Sequence, residues 1–380
     1  MRKRPEGREA GAVAEKAKKR EANLEALRIA AMFMVVVLHY LSGSGALPES
    51  GRGLDGIAVF AVALESLCIV AVNVYVLMSG YFLSSAAFRW GRLFRLLAQV
   101  LFYTLLLPPA LAALGLIPAS ELTDVYHLQK SLFPVQSGHY WFVTAYVILF
   151  LLSPLLSAAL EKLDRKAAAG AILGLLVFFC FGKSLSILQF PTDRYGYDFG
   201  WFVCLYLIGG YWRRYGIPFL DKRRNGILIY LGSAAGIAGM ELLLTRLCSL
   251  FPQLTYYASV PFHYNFVLCL TGAMGLFSAF LYTDVREGRG ADLIRAVSPA
   301  AFGVYLIHQQ ADVQGRWLSW ADGLCGKIGL GQVWQDGAAA GGTFRFALCL
   351  LAQTLLVFAV CIALDRIRGL LFFKLRRKRP

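Results

Sequence analysis

The stretch NLEALRIAAMFMVVVLHY, Asn23 to Tyr40, decides how the whole chain is read. It is an apolar run with an arginine, Arg28, near its start and a histidine, His39, eleven residues later. At about 100° and 1.5 Å per residue, eleven steps make about three turns plus 20°. The two side chains therefore share one face of a helix, roughly 16.5 Å apart along its axis. With Arg28 at a membrane surface, His39 lies just past the middle of a ~30 Å hydrocarbon core. Groups that can carry charge are expensive at such positions and mark function there.

Composition supports a membrane setting. The 380 residues are 58% hydrophobic and only 16% charged, with a mean hydropathy of +0.57. A soluble chain is about one-quarter charged, so the class is an integral membrane protein. Nine further apolar segments follow Leu27 to Leu41. They are Ile57 to Leu83, Leu93 to Leu116, Tyr140 to Leu160, Ala167 to Phe181 and Phe199 to Trp212, then Gly226 to Leu244, Val260 to Tyr282, Val297 to Asp312 and Arg345 to Ile367. The first, sixth and ninth are short as read and are expected to extend into their flanks, since a span needs about 20 residues. Pro108 and Pro109 are expected to kink the third.

The expected fold is thus an all-α polytopic bundle of about ten transmembrane helices. With the N-terminus inside, 30 of the 38 Lys and Arg residues fall on the inner side, which predicts that both termini are cytoplasmic. The net charge of +15 sits at the ends of apolar segments, where it faces anionic lipid rather than nucleic acid. Residues 1–22 read as a basic tail, disordered or helical on the membrane surface, 23–370 as the transmembrane domain and 371–380 as a second basic tail. The first span reads as uncleaved despite the small residues Ser42 to Ala46 behind it. The eight cysteines have no CxxC or metal-type spacing. A disulfide between Cys248 and Cys325, near outer loops, is the one pairing left open. All five histidines, His39, His127, His139, His263 and His308, fall in the outer half or outer loops, which points to a site reached from outside. The outer loop Val313 to Phe344 carries Trp317, Trp320 and Trp334, either as an interfacial belt or as a cap that contacts carbohydrate.

Four stretches resemble the membrane acyltransferase 3 family, bacterial O-acyltransferases of polysaccharides. Arg28 to His39 is similar to its arginine-ten-residues-histidine signature. Asn73 to Tyr81, NVYVLMSGY, resembles its second-span block. Tyr140, Trp141 and Phe142, followed by Tyr146 and Ser153-Pro154, look like its WF...Y...P segment, and Phe302 to His308, FGVYLIH, like its late block. Asn73 stands where many members carry Asp, so no carboxylate role transfers to it. The resemblance implies the stand-alone branch, without an SGNH esterase-like domain, in which the membrane domain does the chemistry itself.

Acyl transfer from a thioester to a hydroxyl needs a donor clamp, a general base and polar groups for the oxyanion. Arg28 suits the phosphates of coenzyme A, because a guanidinium binds phosphate with two parallel bonds. His39 titrates near neutrality and suits the base. Glu65 and His308 lie at a similar depth. Glu65 is expected to orient His39 in a carboxylate–histidine dyad, and His308 to act as a second base or oxyanion support. Asn73, Ser79, Tyr81, Tyr140, Trp141 and Tyr305 are expected lining. No metal and no permanently bound cofactor are expected. The partners are acyl-CoA as co-substrate, a glycan or lipid-linked saccharide acceptor and the bilayer. The competing reading is a glycan exporter or proton-coupled transporter, which also holds charge at mid-depth. A membrane sensor comes third.

Overall fold

The computed structural model describes residues 21–48, 54–185, 194–331, 334–335, 338–339 and 342–377. The stretch 1–20 expected as a basic tail lies outside them. The chain is helical almost throughout. Its first half comprises α1 (Ala22–Ser44), α2 (Gly56–Cys68), α3 (Ala71–Leu83), α4 (Trp90–Ala113), the short α5 (Val125–Leu132), α6 (Trp141–Lys162) and α7 (Arg165–Leu176). The second half comprises α8 (Phe199–Tyr215), α9 (Arg223–Leu250), α10 (Val267–Leu281), α11 (Arg289–Val297), α12 (Ala301–His308), α13 (Trp317–Gly326) and α14 (Gly342–Arg377). A two-residue antiparallel pair, Trp334–Gln335 with Ala338–Ala339, precedes α14.

Among the described residues, nine helical stretches are long and apolar enough to cross a membrane. The one expected span outside these nine, the sixth, is α8, whose 17 residues reach about 25 Å. The all-α membrane bundle is therefore the fold. Its second span breaks between α2 and α3 at Ile69 and Val70, and its ninth is the pair α11–α12. Pro108 and Pro109 sit inside α4 without ending it. The last helix runs unbroken to Arg377, through most of the stretch read as a C-terminal tail. Starts are marked by aspartates: Asp55, Asp164 and Asp198 accept from Ala58 N (2.7 Å), Ala167 N (2.8 Å) and Trp201 N (3.1 Å). Each satisfies a backbone donor that the first turn leaves open. Gly45, at φ 68°, closes α1 in the left-handed conformation that favours glycine.

α1 is the central helix. It packs against α2, α3, α10, α11, α12, α13 and α14, and buries Leu27, Ala31, Val36, Tyr40 and Leu41 completely or nearly so. A helix apolar on all sides belongs in such a place. The α3–α8 crossing is set by two glycines. A Cβ on Gly80 would overlap the Tyr206 backbone, and one on Gly209 the backbone of Leu77 and Tyr81.

Polar groups fasten the rest. Asn73 is fully buried. Its Nδ2 donates to Tyr264 O at 2.7 Å, and its Oδ1 accepts from the Trp201 indole at 2.9 Å. Asp365 on α14 accepts from Tyr103 Oη (2.8 Å), Gln99 Nε2 (3.0 Å) and Arg368 Nε (2.8 Å), joining α4 to α14. All eight cysteines are free thiols, so Cys248 and Cys325 are not bridged. Trp317 does not sit in an interfacial belt or on an outer face: it is buried, its ring 6.4 Å from Tyr40 and 6.2 Å from His308. The Trp334 side chain lies outside the described residues.

Candidate active site

His39 and His308 meet. His39 arrives on α1, and His308 is the last residue of α12, which packs on α1. His39 Nδ1 lies 2.8 Å from His308 Nε2, with ring centroids 5.0 Å apart. His308 Nδ1 lies 2.6 Å from the carbonyl oxygen of Val304, one turn back along α12.

The protons can be assigned from these contacts. A carbonyl only accepts, so His308 Nδ1 carries a hydrogen and donates it to Val304 O. Neutral His308 then holds a lone pair on Nε2. That lone pair accepts from His39 Nδ1, which must carry its own hydrogen. His39 Nε2 is left unprotonated, with no hydrogen-bond partner among the described residues. The backbone of α12 thus sets the tautomer of a histidine on another helix. A base oriented by its second ring nitrogen is the usual arrangement in acid–base catalysis.

His39 borders a small apolar cavity of about 40 Å³, walled by Val72, Tyr75, Trp141, Tyr264 and Tyr305 among others. A second cavity, about 300 Å³, is lined by Arg28, Ser79, Leu96, Tyr146, Ser298 and Pro299. The two share Tyr75, Phe142 and Phe302 as common walls. Arg28 and His39 therefore open onto adjoining spaces, one at each end of the stripe they share on α1.

The Arg28 end is a built one. Its Nη1 donates to Glu25 Oε1 at 2.8 Å, and its guanidinium lies 5.8 Å from the Phe82 ring centre. Tyr75 Oη donates to Arg28 O at 2.6 Å. Ser298 Oγ donates to the other oxygen of Glu25, and Ser298 opens the turn Ser298–Ala300 that leads into α12.

The expected Glu65–His39 dyad does not form. His308 occupies His39 Nδ1, and Glu65 Oε2 is buried with no hydrogen-bond partner. Depth alone put Glu65 level with His39, but azimuth decides contact. The electrostatic neighbours of Glu65 include Glu241 on α9 and Cys68, Tyr197 and Tyr264. Of the expected lining, Ser79, Trp141 and Tyr305 border the two cavities. Asn73 lies behind them, holding Tyr264 in place. Tyr140 is buried with its hydroxyl on Leu306 O at 2.7 Å, and Tyr81 accepts from Arg213 Nη1 at 3.2 Å beside a separate surface cleft. Phe142, Tyr146 and Phe302 were visible within the sequence blocks but carried no separate signal. Glu25, Tyr264 and Ser298 carried none beyond Glu25 being one turn before Arg28.

The bundle thus places two linked imidazoles and an arginine along adjoining cavities. Residues 21–364 match the family model described as an acyltransferase domain, acyltransferase 3. The chain belongs to this family of membrane acyltransferases. No curated protein and no solved structure matches it.

Proposed function

We propose that this protein transfers an acyl group, acetyl in the first instance, from cytosolic acyl-CoA to a hydroxyl of a cell-surface or lipid-linked glycan. It works in the bacterial cell membrane with both termini on the cytoplasmic side, the orientation favoured by the charge distribution. Arg28 holds the donor phosphates, and the acyl arm runs along the adjoining cavities toward His39. The acceptor hydroxyl approaches from the far side.

The observation that carries this reading is the Val304–His308–His39 hydrogen-bond chain, which leaves Nε2 as the free lone pair of a histidine that lines a cavity. His39 Nε2 takes the proton of the acceptor hydroxyl as its oxygen attacks the thioester carbon. A C–O bond forms, the C–S bond breaks, and the departing thiolate takes the proton back from His39. No net proton is released, so a site with His308 buried and His39 half-buried can turn over without a proton channel. While His39 is protonated, the lone pair of His308 Nε2 stabilises its imidazolium through the Nδ1–H bond.

The test is transfer of radiolabel from acyl-CoA to glycan in membranes containing the protein. Label in the glycan that depends on His39 supports the reading. Uptake or export of a substrate without covalent labelling would replace it with the transporter reading.

A further inference from the structure

Arg28 holds only part of its donor set within the protein. The Nη1 bond to Glu25 is in place, while Nη2 and Nε have no hydrogen-bond partner among the described residues, and the side chain borders the larger cavity. A guanidinium has five N–H donors in a rigid planar fork, so fixing one nitrogen fixes the direction of the others. The fixing group is itself held. Glu25 is buried, with a side chain only 6% exposed against 34% for Arg28. One carboxylate oxygen takes Arg28 and the other takes Ser298 Oγ. Ser298 borders the same cavity and begins the turn that leads into α12, the helix ending at His308.

We infer that Glu25 is the positioning residue of the donor site: it locks one edge of the Arg28 guanidinium so that the opposite edge faces the phosphates of the acyl donor. The inference rests on the reading of Arg28 as a phosphate clamp. A free arginine on a flexible stem samples many rotamers, and ordering it on binding costs affinity. A carboxylate anchored at both oxygens removes that cost before the donor arrives. The anchor also ties the donor end to the segment that leads to the second histidine.

A purely electrostatic role for Glu25 predicts the opposite sign. A negative charge beside a phosphate site repels the phosphate, so its removal would tighten donor binding. The two roles are therefore separable by experiment.

The test compares acetyl-CoA with acetyl-pantetheine, which carries the same thioester and arm but no phosphate. Wild type is expected to favour acetyl-CoA in kcat/KM. Glu25→Gln removes the charge-assisted bond, and kcat/KM for acetyl-CoA should fall about 10-fold further than that for acetyl-pantetheine, mostly through KM. In an Arg28→Gln background the same change should leave the donor ratio alone, because the fork it positions is gone. Glu25→Asp, one methylene shorter, should give an intermediate ratio, and supplies the comparison where Glu25→Gln accumulates poorly. A parallel loss with both donors would make Glu25 a structural residue and overturn the inference, as would a gain for acetyl-CoA. A wild type indifferent to the phosphates would instead remove the clamp role of Arg28 itself.

Discussion

Replacing His308 by leucine tests the tautomer argument directly. The change deletes the lone pair that accepts from His39 Nδ1 and keeps a side chain of apolar bulk between Val304 and Trp317. His39 then loses one hydrogen bond and keeps a half-buried donor with nothing in the protein to receive it, worth about 1–3 kcal/mol. At 1.36 kcal/mol per decade, that corresponds to roughly 5- to 150-fold in kcat. His39→Ala removes the base itself and should cost roughly 10²–10⁴-fold. The donor KM should hardly move in His308→Leu, because Arg28 lies about 16.5 Å away along α1. His308→Gln restores an oxygen acceptor and should recover part of the rate. The assay is initial transfer from labelled acyl-CoA at saturating donor, in membranes with matched protein levels. A His308→Leu enzyme within twofold of wild type would refute the tautomer argument. A loss as deep as that of His39→Ala would make His308 the proton-transferring group.

Four further outcomes follow from the geometry. Arg28→Ala should raise the acyl-CoA KM by roughly 10- to 150-fold, the value of a charge-assisted contact, and Arg28→Lys should recover only part of it, because an ammonium lacks the fork; steady-state kinetics on membranes of equal content decide. Glu65→Gln should leave the pH–rate midpoint where it is, since His308 and not Glu65 holds His39; a shifted midpoint in a pH series would return Glu65 to the site. Asn73→Leu should orphan both the Trp201 indole and Tyr264 O, at about 1–3 kcal/mol for each unsatisfied group, and appear as a lowered Tm in detergent. Single cysteines at the exposed positions Ser120 and Ser319 should react with an impermeant maleimide in intact cells, and one at Lys222 should not; the eight native cysteines are buried, so background is low. Labelling at Lys222 would reverse the orientation.

Much of this protein was legible in its residues. A 58% apolar composition with about ten runs of spanning length leaves helices as the economical solution, since every backbone group in lipid must be paired within its own segment. The eleven-residue spacing of Arg28 and His39 determines their common face by helical geometry alone, and neither needs a neighbour for that. What depends on a second helix could not be read this way. Glu65 and His308 stood at a similar depth to His39, and rise per residue distinguishes levels, not directions around an axis. The choice between them came from packing: α12 docks on α1 with His308 turned inward and its far nitrogen on Val304, while Glu65 Oε2 is buried without a hydrogen-bond partner. Asn73 had the look of a lining residue until both ends of its amide were found bonded to Tyr264 and Trp201. Glu25, a single charge near the start of an apolar run, gains its second contact only where the turn before α12 brings Ser298 to its other oxygen. Periodicity and hydropathy are properties of one segment and survive in the sequence. Contacts between segments far apart in the chain exist only once the bundle has closed.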